Sequence, residues 1–358
     1  MKILHILPNF AAGGAERVVL YYLIDWMQIH EDEMSALALY SDKGTIFDEE
    51  IKKLSLNVEY ANCKPNNILD IIGAIRKKVR DYKPDVIHSH MRLLPYVALA
   101  TTGLKVRIVH TFHTEPEVSS AGKILFFDRF CLKHCNVIPV CLNEEMAERA
   151  NKLYRINFSR FLYNGIRLED YCSLDIIEKE KLKASLGVTD KYVIGHVGRY
   201  VKIKNHDLIV RVFNEYLKIN PNAMLLLVGD GPEYENIKKM VAKLGIESSV
   251  KMLGVRSDVP KLLQIMDCFI FPSIVEGLGI SVIEAQAAGV PCIISNIIPA
   301  EAVATDMVTR INLQAPLSTW VAAIQGKIDK EIPCHQIDDF DIKCINKKLK
   351  EIYEDAVK

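Results

Sequence analysis

The 358-residue chain carries no net charge, 45 Lys and Arg standing against 45 Asp and Glu. Without a basic excess it lacks the many phosphate contacts that sequence-independent nucleic-acid binding needs, which excludes that class. It has no C-x-x-C pair. Its nine cysteines run from Cys63 to Cys344, and the tightest group, Cys131, Cys135 and Cys141, is spaced wrongly for zinc ribbons and fingers. Such thiols read as reduced and structural, in a reducing compartment. No window approaches the ~18 uninterrupted apolar residues of a membrane span. The apolar start, MKILHILPNF, is broken by His5 and Pro8 and falls short of a signal-peptide core. With 18 Gly, 14 Pro and 49% hydrophobic residues, the chain is neither collagenous nor disordered. The expectation is a cytoplasmic globular protein of two domains, at roughly 150 residues each.

What is present is a strand–helix alternation. KILHIL, SALALY, DVIHSH, VRIVHTF and NVIPVC read as strands, with helical patterns such as GGAERVVLYYLIDWMQIH and NILDIIGAIRKKVRDY between them. The pattern restarts after residue 190 with YVIGHVGR, AMLLLVGDG, SVKMLG, CFIFPS and PCIIS, separated by helices such as HDLIVRVFNEYLKI and EYENIKKMVAKLG. Strands apolar on both faces imply parallel sheets covered by helices, an α/β class with two Rossmann-like halves. The stretch 164–190 reads as an irregular connection and a hinge. CINKKLKEIYEDA reads as a final helix with Ile345, Leu349, Ile352 and Tyr353 on one face. Ligands of such sheets bind beyond the carboxyl ends of the strands, so the loops there are where chemistry belongs.

Gly13 and Gly14 follow the first strand, where backbone N–H groups approach an anion at a helix start, or where a tight turn simply needs glycine. Neither this loop nor Gly229-Asp230-Gly231-Pro232 completes a G-x-G-x-x-G fingerprint, so a dinucleotide dehydrogenase is disfavoured. Arg199 and Lys204, five residues apart after YVIGHV, could grip a diphosphate, the first as a fork and the second as a point charge. The other reading is two solvated loop cations.

Glu276 and Glu284 lie in SIVEGLGISVIEAQAAGVP. On one helix they would be about 12 Å apart, beyond the spacing of a glycoside-hydrolase dyad. The better reading puts Glu276 in a loop and Glu284 about two turns into a helix. Gly279, Ile280 and Ser281 then offer N–H groups to a phosphate, and Glu284 accepts from a ribose diol.

Taken together, GGAER, DVIHSH, HTFHTE and YNGI in the first half, and VGRYVKIKN, VGDGP, MLGVRSDV and EGLGISVIEAQAAGVP in the second, resemble the family-four retaining glycosyltransferases of the GT-B fold. The ending AQAAGVPCIIS is similar to transferases of capsule and exopolysaccharide assembly. The resemblance implies two Rossmann-like domains facing across a cleft: 1–165 for the acceptor, 166–340 for the donor, and a 341–358 helix crossing back to the first. It implies transfer of a hexose or N-acetylhexosamine from a nucleotide-sugar, UDP by analogy, to a glycan or lipid-linked glycan. By that resemblance His113 lies beside the transferred sugar, Arg199 and Lys204 hold the diphosphate, Glu276 binds sugar hydroxyls, and Glu284 the ribose. Val255 and Arg256 run along the base, Gly279, Ile280 and Ser281 complete the phosphate site, and Gly13 and Gly14 approach the donor phosphates or the acceptor. His88 and His90 recur in the family, as ligands or as packed histidines. Glu301 stands where many relatives have a preceding glycine-rich turn, and here that turn is missing. Two cations on the diphosphate leave no demand for a metal, and no cofactor is expected. A UDP-sugar 2-epimerase of the same fold, or a non-catalytic partner subunit, are the alternatives.

The zero net charge is a sum of unlike parts. Residues 1–63 hold 5 basic and 10 acidic side chains, residues 64–160 hold 16 and 9, and the remainder 24 and 26. The positive part includes KILFFDRFCLKH at 123–134. Such a helix either rests on an anionic membrane, at the inner face of the plasma membrane, or turns its aromatic stripe to the core with the cations in solvent.

Overall fold

The structure, a computed structural model, describes residues 1–11, 13–29, 32–119, 123–172, 174–326 and 337–358. Contacts divide the chain into two units, Met1–Ile166 with Phe340–Lys358, and Arg167–Asp339. The first unit holds β1 (Lys2–Leu7), β2 (Glu33–Ala38), β3 (Val58–Tyr60), β4 (Val86–His90), β5 (Arg107–Thr111), β6 (Val137–Cys141) and β7 (Arg160–Phe161). They form one parallel sheet in the order β3-β2-β1-β4-β5-β6-β7. The second unit holds β8 (Tyr192–Val197), β9 (Ala223–Val228), β10 (Val250–Met252), β11 (Cys268–Phe271), β12 (Cys292–Ser295) and β13 (Val308–Ile311), ordered β10-β9-β8-β11-β12-β13 and again parallel. β9, AMLLLV, is buried at every position, as a central strand covered by helices on both faces must be. The strand order reverses direction between β1 and β4 in one unit and between β8 and β11 in the other. At those points the loops part and leave room for a ligand.

Three strands escaped the sequence reading: β3, β7 and β13. Each lies at a sheet edge, and VEY, RF and VTRI carry too few buried residues to show an apolar run. The irregular connection expected over 164–190 contains a regular helix, Ile176–Leu186. Asp175 caps its start by accepting from the Glu178 N–H at 2.7 Å, and Gly187 ends it at φ +61°. None of its residues is buried, so no apolar stripe announced it.

The last helix, Ile342–Val357, packs on the first unit's sheet through Ile342, Ile345, Leu349, Tyr353 and Ala356, a spacing of three and four residues that makes one face. Where the chain returns, the Ile166 N–H donates to the Phe340 carbonyl and the Ile342 N–H to that of Ile166, both at 2.8 Å. A Cβ on Gly165 would stand 2.9 Å from the Ile342 Cα, so only glycine fits there. The chain's one Asp-x-Asp, Asp339-Phe340-Asp341, falls at this return, and Asp341 caps the helix by accepting from the Lys343 N–H.

The helix Lys123–His134 does not turn its aromatics to the core. Phe126, Phe127 and Phe130 are 69%, 54% and 53% exposed, and Leu99 and Ile124 are exposed as well. The core-facing alternative is therefore corrected: the buried face belongs to Cys131, Leu132 and Asp128.

Candidate functional site

In the second unit the loops past β8, β9 and β10 are sewn together by backbone. The Gly198 N–H donates to the Val228 carbonyl at 2.9 Å, the Tyr200 N–H to Asp230 at 3.0 Å, and the Gly229 N–H to Gly254 at 2.8 Å. A Cβ on Gly229, at φ +137°, would come within 2.1 Å of the Gly198 carbonyl oxygen. Here glycine serves loop against loop, and the turn presents Arg199 outward. Arg199 is exposed and, among the described residues, has no ion-pair partner. Val255, which follows Gly254 on the loop past β10, is 42% exposed, while the Arg256 guanidinium is held by Asp258 through two bonds of 2.8 and 2.7 Å.

Lys204 ends a 3-10 turn, Lys202–Lys204, and Asn205 follows in the left-handed region with its amide donating to the Pro272 carbonyl. This aims the Lys204 ammonium over the Phe271 ring, 4.8 Å from its centre, and against Glu276 Oε1 at 2.5 Å. Ser273 Oγ lies 2.5 Å from the same carboxylate oxygen and 2.9 Å from the Ile203 carbonyl. Thus Lys204 and Glu276, far apart in sequence, form one largely buried unit at the end of β11.

The helix Ile280–Ala287 begins after Gly279, which holds φ +84°. Because it starts at Ile280, Glu284 sits about one turn in, not two. Glu284 is fully buried and accepts from the Tyr171 hydroxyl at 2.8 Å. Glu301 lies in the short turn Ala300–Ala302.

In the first unit the chemistry is histidine. His5 of β1 pairs in register with His88 of β4, and His90 follows on the same face. All three are buried. His5 Nδ1 lies 2.9 Å from His90 Nε2, and His90 Nδ1 lies 3.0 Å from His113 Nε2. His88 Nδ1 is 2.6 Å from the Tyr353 hydroxyl, and its Nε2 is 2.7 Å from Thr111 Oγ1. Burial pushes the His5 pKa down to about 3 and the His113 pKa to about 4, and those of His88 and His90 well below the usual value. All four rings are therefore neutral near pH 7. His113 itself is half-buried, past the end of β5, and among the described residues its Nδ1 has no hydrogen-bond partner. Met91, directly after His90, holds φ +59°, a conformation costly for a non-glycine residue. At the first strand–helix turn neither Gly13 nor Gly14 has positive φ; a Cβ on Gly13 would meet the Glu16 carboxylate at 2.4 Å. A cavity of about 300 Å³ lies at the other end of the sheet, against Arg107, Val137 and Asp355, away from these groups.

Residues 178–336 match the glycosyl transferases group 1 family, and residues 12–170 match glycosyltransferase family 4. EpsF of Bacillus subtilis (strain 168), named as a glycosyltransferase, is 30% identical over 342 residues, covering 90% of this chain and 86% of its own. The chain belongs to the group 1 glycosyl transferases. An Escherichia coli relative, UDP-Gal:alpha-D-GlcNAc-diphosphoundecaprenol alpha-1,3-galactosyltransferase, is 28% identical over 83% of this chain and 80% of its own. Anabaena Alr3699/HepE, solved with UDP and glucose, superimposes with a TM-score of 0.82 at 20% identity, over 99% of this chain and 100% of its own, and shares the GT-B fold. For this glycosyltransferase the structure joins Lys204 to Glu276, and His113 to His90. It leaves Val255 and Arg256 on a separate loop, with Arg256 already paired. Ser273, Phe271 and Tyr171 were missed by sequence reasoning, since each acts through a through-space contact. Tyr353 was seen only as a core position, and His5 only as a break in an apolar run.

Proposed function

We propose that the protein is a retaining, metal-independent transferase that moves a hexose or N-acetylhexosamine from a UDP-sugar to a lipid-linked glycan, in capsule, exopolysaccharide or O-antigen assembly. The observation that carries the reading is the Lys204–Glu276 pair at the end of β11, beside the glycine start of the helix that holds Glu284. The E. coli relative, by its name, uses a UDP-sugar and a lipid diphosphate-linked sugar.

In this reading, the bond from the anomeric carbon to the diphosphate breaks while the acceptor oxygen bonds to that carbon on the same face. The acceptor proton leaves with a departing phosphate oxygen. Negative charge grows on the diphosphate, and Arg199, Lys204 and the N–H groups of Gly279, Ile280 and Ser281 stabilise it from fixed positions. As Lys204 turns to phosphate, Glu276 is released to accept from sugar hydroxyls. Glu284, held by Tyr171, accepts from the ribose, and exposed Val255 supplies a flat apolar face for the base. His113 stands beside the transferred sugar. No step calls for a divalent ion or a cofactor. The exposed aromatics of Lys123–His134 rest on an anionic lipid surface, where the acceptor's lipid lies.

A panel of nucleotide-sugars in thermal-shift and transfer assays tests this. Stabilisation by UDP-sugars with transfer to an undecaprenyl-linked acceptor is expected. Interconversion of a UDP-sugar without acceptor would instead identify an epimerase, and turnover abolished by EDTA and restored by magnesium would overturn metal independence. Replacing Phe126, Phe127 and Phe130 by serine should abolish co-sedimentation with anionic vesicles; sedimentation indifferent to anionic lipid or to the substitutions would remove the membrane contact.

A further inference from the structure

The cavity of about 300 Å³ in the first unit takes no part in the chemistry described above. Arg107 and Val137, which line it, begin β5 and β6, so it lies at the amino ends of those strands, whereas His113 follows the carboxyl end of β5. Two of its cations are free. Arg107 and Lys133 are exposed, and among the described residues neither has an ion-pair partner. The acid that lines it is already engaged: Asp355 meets Lys358 at 3.2 Å and Arg160 at 3.5 Å. The rest of the wall is largely apolar, with Leu132 and Ala356 buried and Phe158 42% exposed. An inorganic phosphate would leave that wall unused. An anion with an apolar body uses both the cations and the wall.

The neighbouring helix says where such an anion comes from. β5 and β6 are parallel neighbours, so the helix between them, Lys123–His134, returns the chain from the carboxyl end of one to the amino end of the other. Its last turn therefore ends at the cavity, which Leu132 and Lys133 line. Phe126, Phe130 and Lys133 stand at i, i+4 and i+7, one stripe of helix surface, with Asp128, Cys131 and Leu132 buried on the other side. At 1.5 Å per residue, Phe130 is about 4.5 Å and Phe126 about 10 Å from Lys133 along the axis. Exposed rings and a free cation thus share the face that a helix lying in a lipid interface presents, and the cavity lies at the end of that face.

We propose that this cavity takes the headgroup of an anionic phospholipid. The phosphate lies between Arg107 and Lys133, and Phe158 and Leu132 meet the glycerol and the first acyl carbons. The inference rests on the membrane contact proposed for Lys123–His134 and deepens it by naming the lipid. It gives that contact a second foothold, at the end of the helix away from His113. Held at both ends, the helix cannot pivot on its rings, and its first turn stays toward the carboxyl ends of the strands, where ligands of such sheets bind. Residues 64–160, with 16 basic side chains against 9 acidic, supply the longer-range attraction to an anionic surface.

The test uses the full chain and dihexanoylphosphatidylglycerol below its micelle concentration, so that no membrane is present. Calorimetry should show saturable binding of one lipid per chain, with none for dihexanoylphosphatidylcholine or inorganic phosphate. Arg107→Gln combined with Lys133→Gln, both at exposed positions, should abolish it. Lys77→Gln combined with Arg80→Gln removes the same charge from exposed positions of the helix Ile68–Tyr82 and should leave it unchanged. On vesicles containing phosphatidylglycerol, the Arg107 and Lys133 pair of substitutions should weaken binding about thirtyfold, as expected for two cations removed from an anionic surface.

No binding of the short lipid, equal binding of the phosphatidylcholine, inorganic phosphate bound as tightly, or unchanged affinity without Arg107 and Lys133 overturns the proposal. Suppose instead that vesicle binding survives those two substitutions but is abolished by serine at Phe126, Phe127 and Phe130. The headgroup site then falls and the membrane contact stands. If the wild type ignores anionic vesicles yet binds the short lipid through Arg107 and Lys133, the membrane contact falls and the cavity keeps its ligand.

Discussion

The two units share one architecture and spend their polar residues in opposite ways. The first buries neutral histidines inside its sheet, His5, His88, His90 and His110 among them, under a helix that arrives from the far end of the sequence. The second buries a single histidine in its sheet, His196, and sets charge in the loops beyond the strands: Arg199 exposed, Lys204 against Glu276. A charge taken deep into a core costs several kcal/mol, whereas at a strand's carboxyl end it can still meet a phosphate. Parallel sheets therefore accept polar chemistry in two forms: neutral and hydrogen-bonded within, or charged at the rim.

Each unit has one tryptophan, Trp26 and Trp320, both fully buried, so the difference can be followed separately in variants lacking one or the other. The largest expected effect comes from Leu349→Ala, which should cost the first unit about 2–5 kcal/mol by opening a cavity under the last helix. Urea unfolding should show it in the Trp26 signal; an equal loss in the Trp320 signal would break the division into units. Next, Lys204→Ala should lower kcat about a hundredfold. Unchanged turnover in purified, folded protein would remove charge from the second unit's role.

Acid should act on the units unequally. His5, His88, His90, His110 and His113 in the first unit, and His196 and His206 in the second, are all held below the ordinary histidine pKa, chiefly by burial. The unfolded chain thus binds protons that the folded one refuses. The stability is whole above about pH 6.5 and is lost as pH falls toward 4, by roughly 1 kcal/mol per histidine for each pH unit. The Trp26 signal should therefore unfold at a higher pH than the Trp320 signal; the reverse order would refute the contrast. The smallest effect is Glu284→Ala, expected to weaken UDP binding about tenfold, the worth of a charge-assisted hydrogen bond, in calorimetry.

Central strands were legible because they are apolar at nearly every position, as AMLLLV and CFIF are. The edge strands β3, β7 and β13 and the helix Ile176–Leu186 were not, since solvent on one side or all round erases the apolar signal. For the site, types and loops were readable: the cations after β8 and the paired glutamates. The two turns expected at Glu284 correspond to its eight residues from Glu276; from the helix start at Ile280 it is one turn in.

The sequence by itself determined the two parallel-sheet halves, the family, and which residue types stand at the strand ends, because these are local in the chain and follow from periodicity and motif. Only the tertiary structure decided that Lys204 leans on Glu276 across 72 residues, and that Tyr353 reaches His88 across 265. Hydrogen-bond partners depend on distance in space, and folding alone brings polar atoms of β1, β5 and the last helix within 3 Å of those of β4.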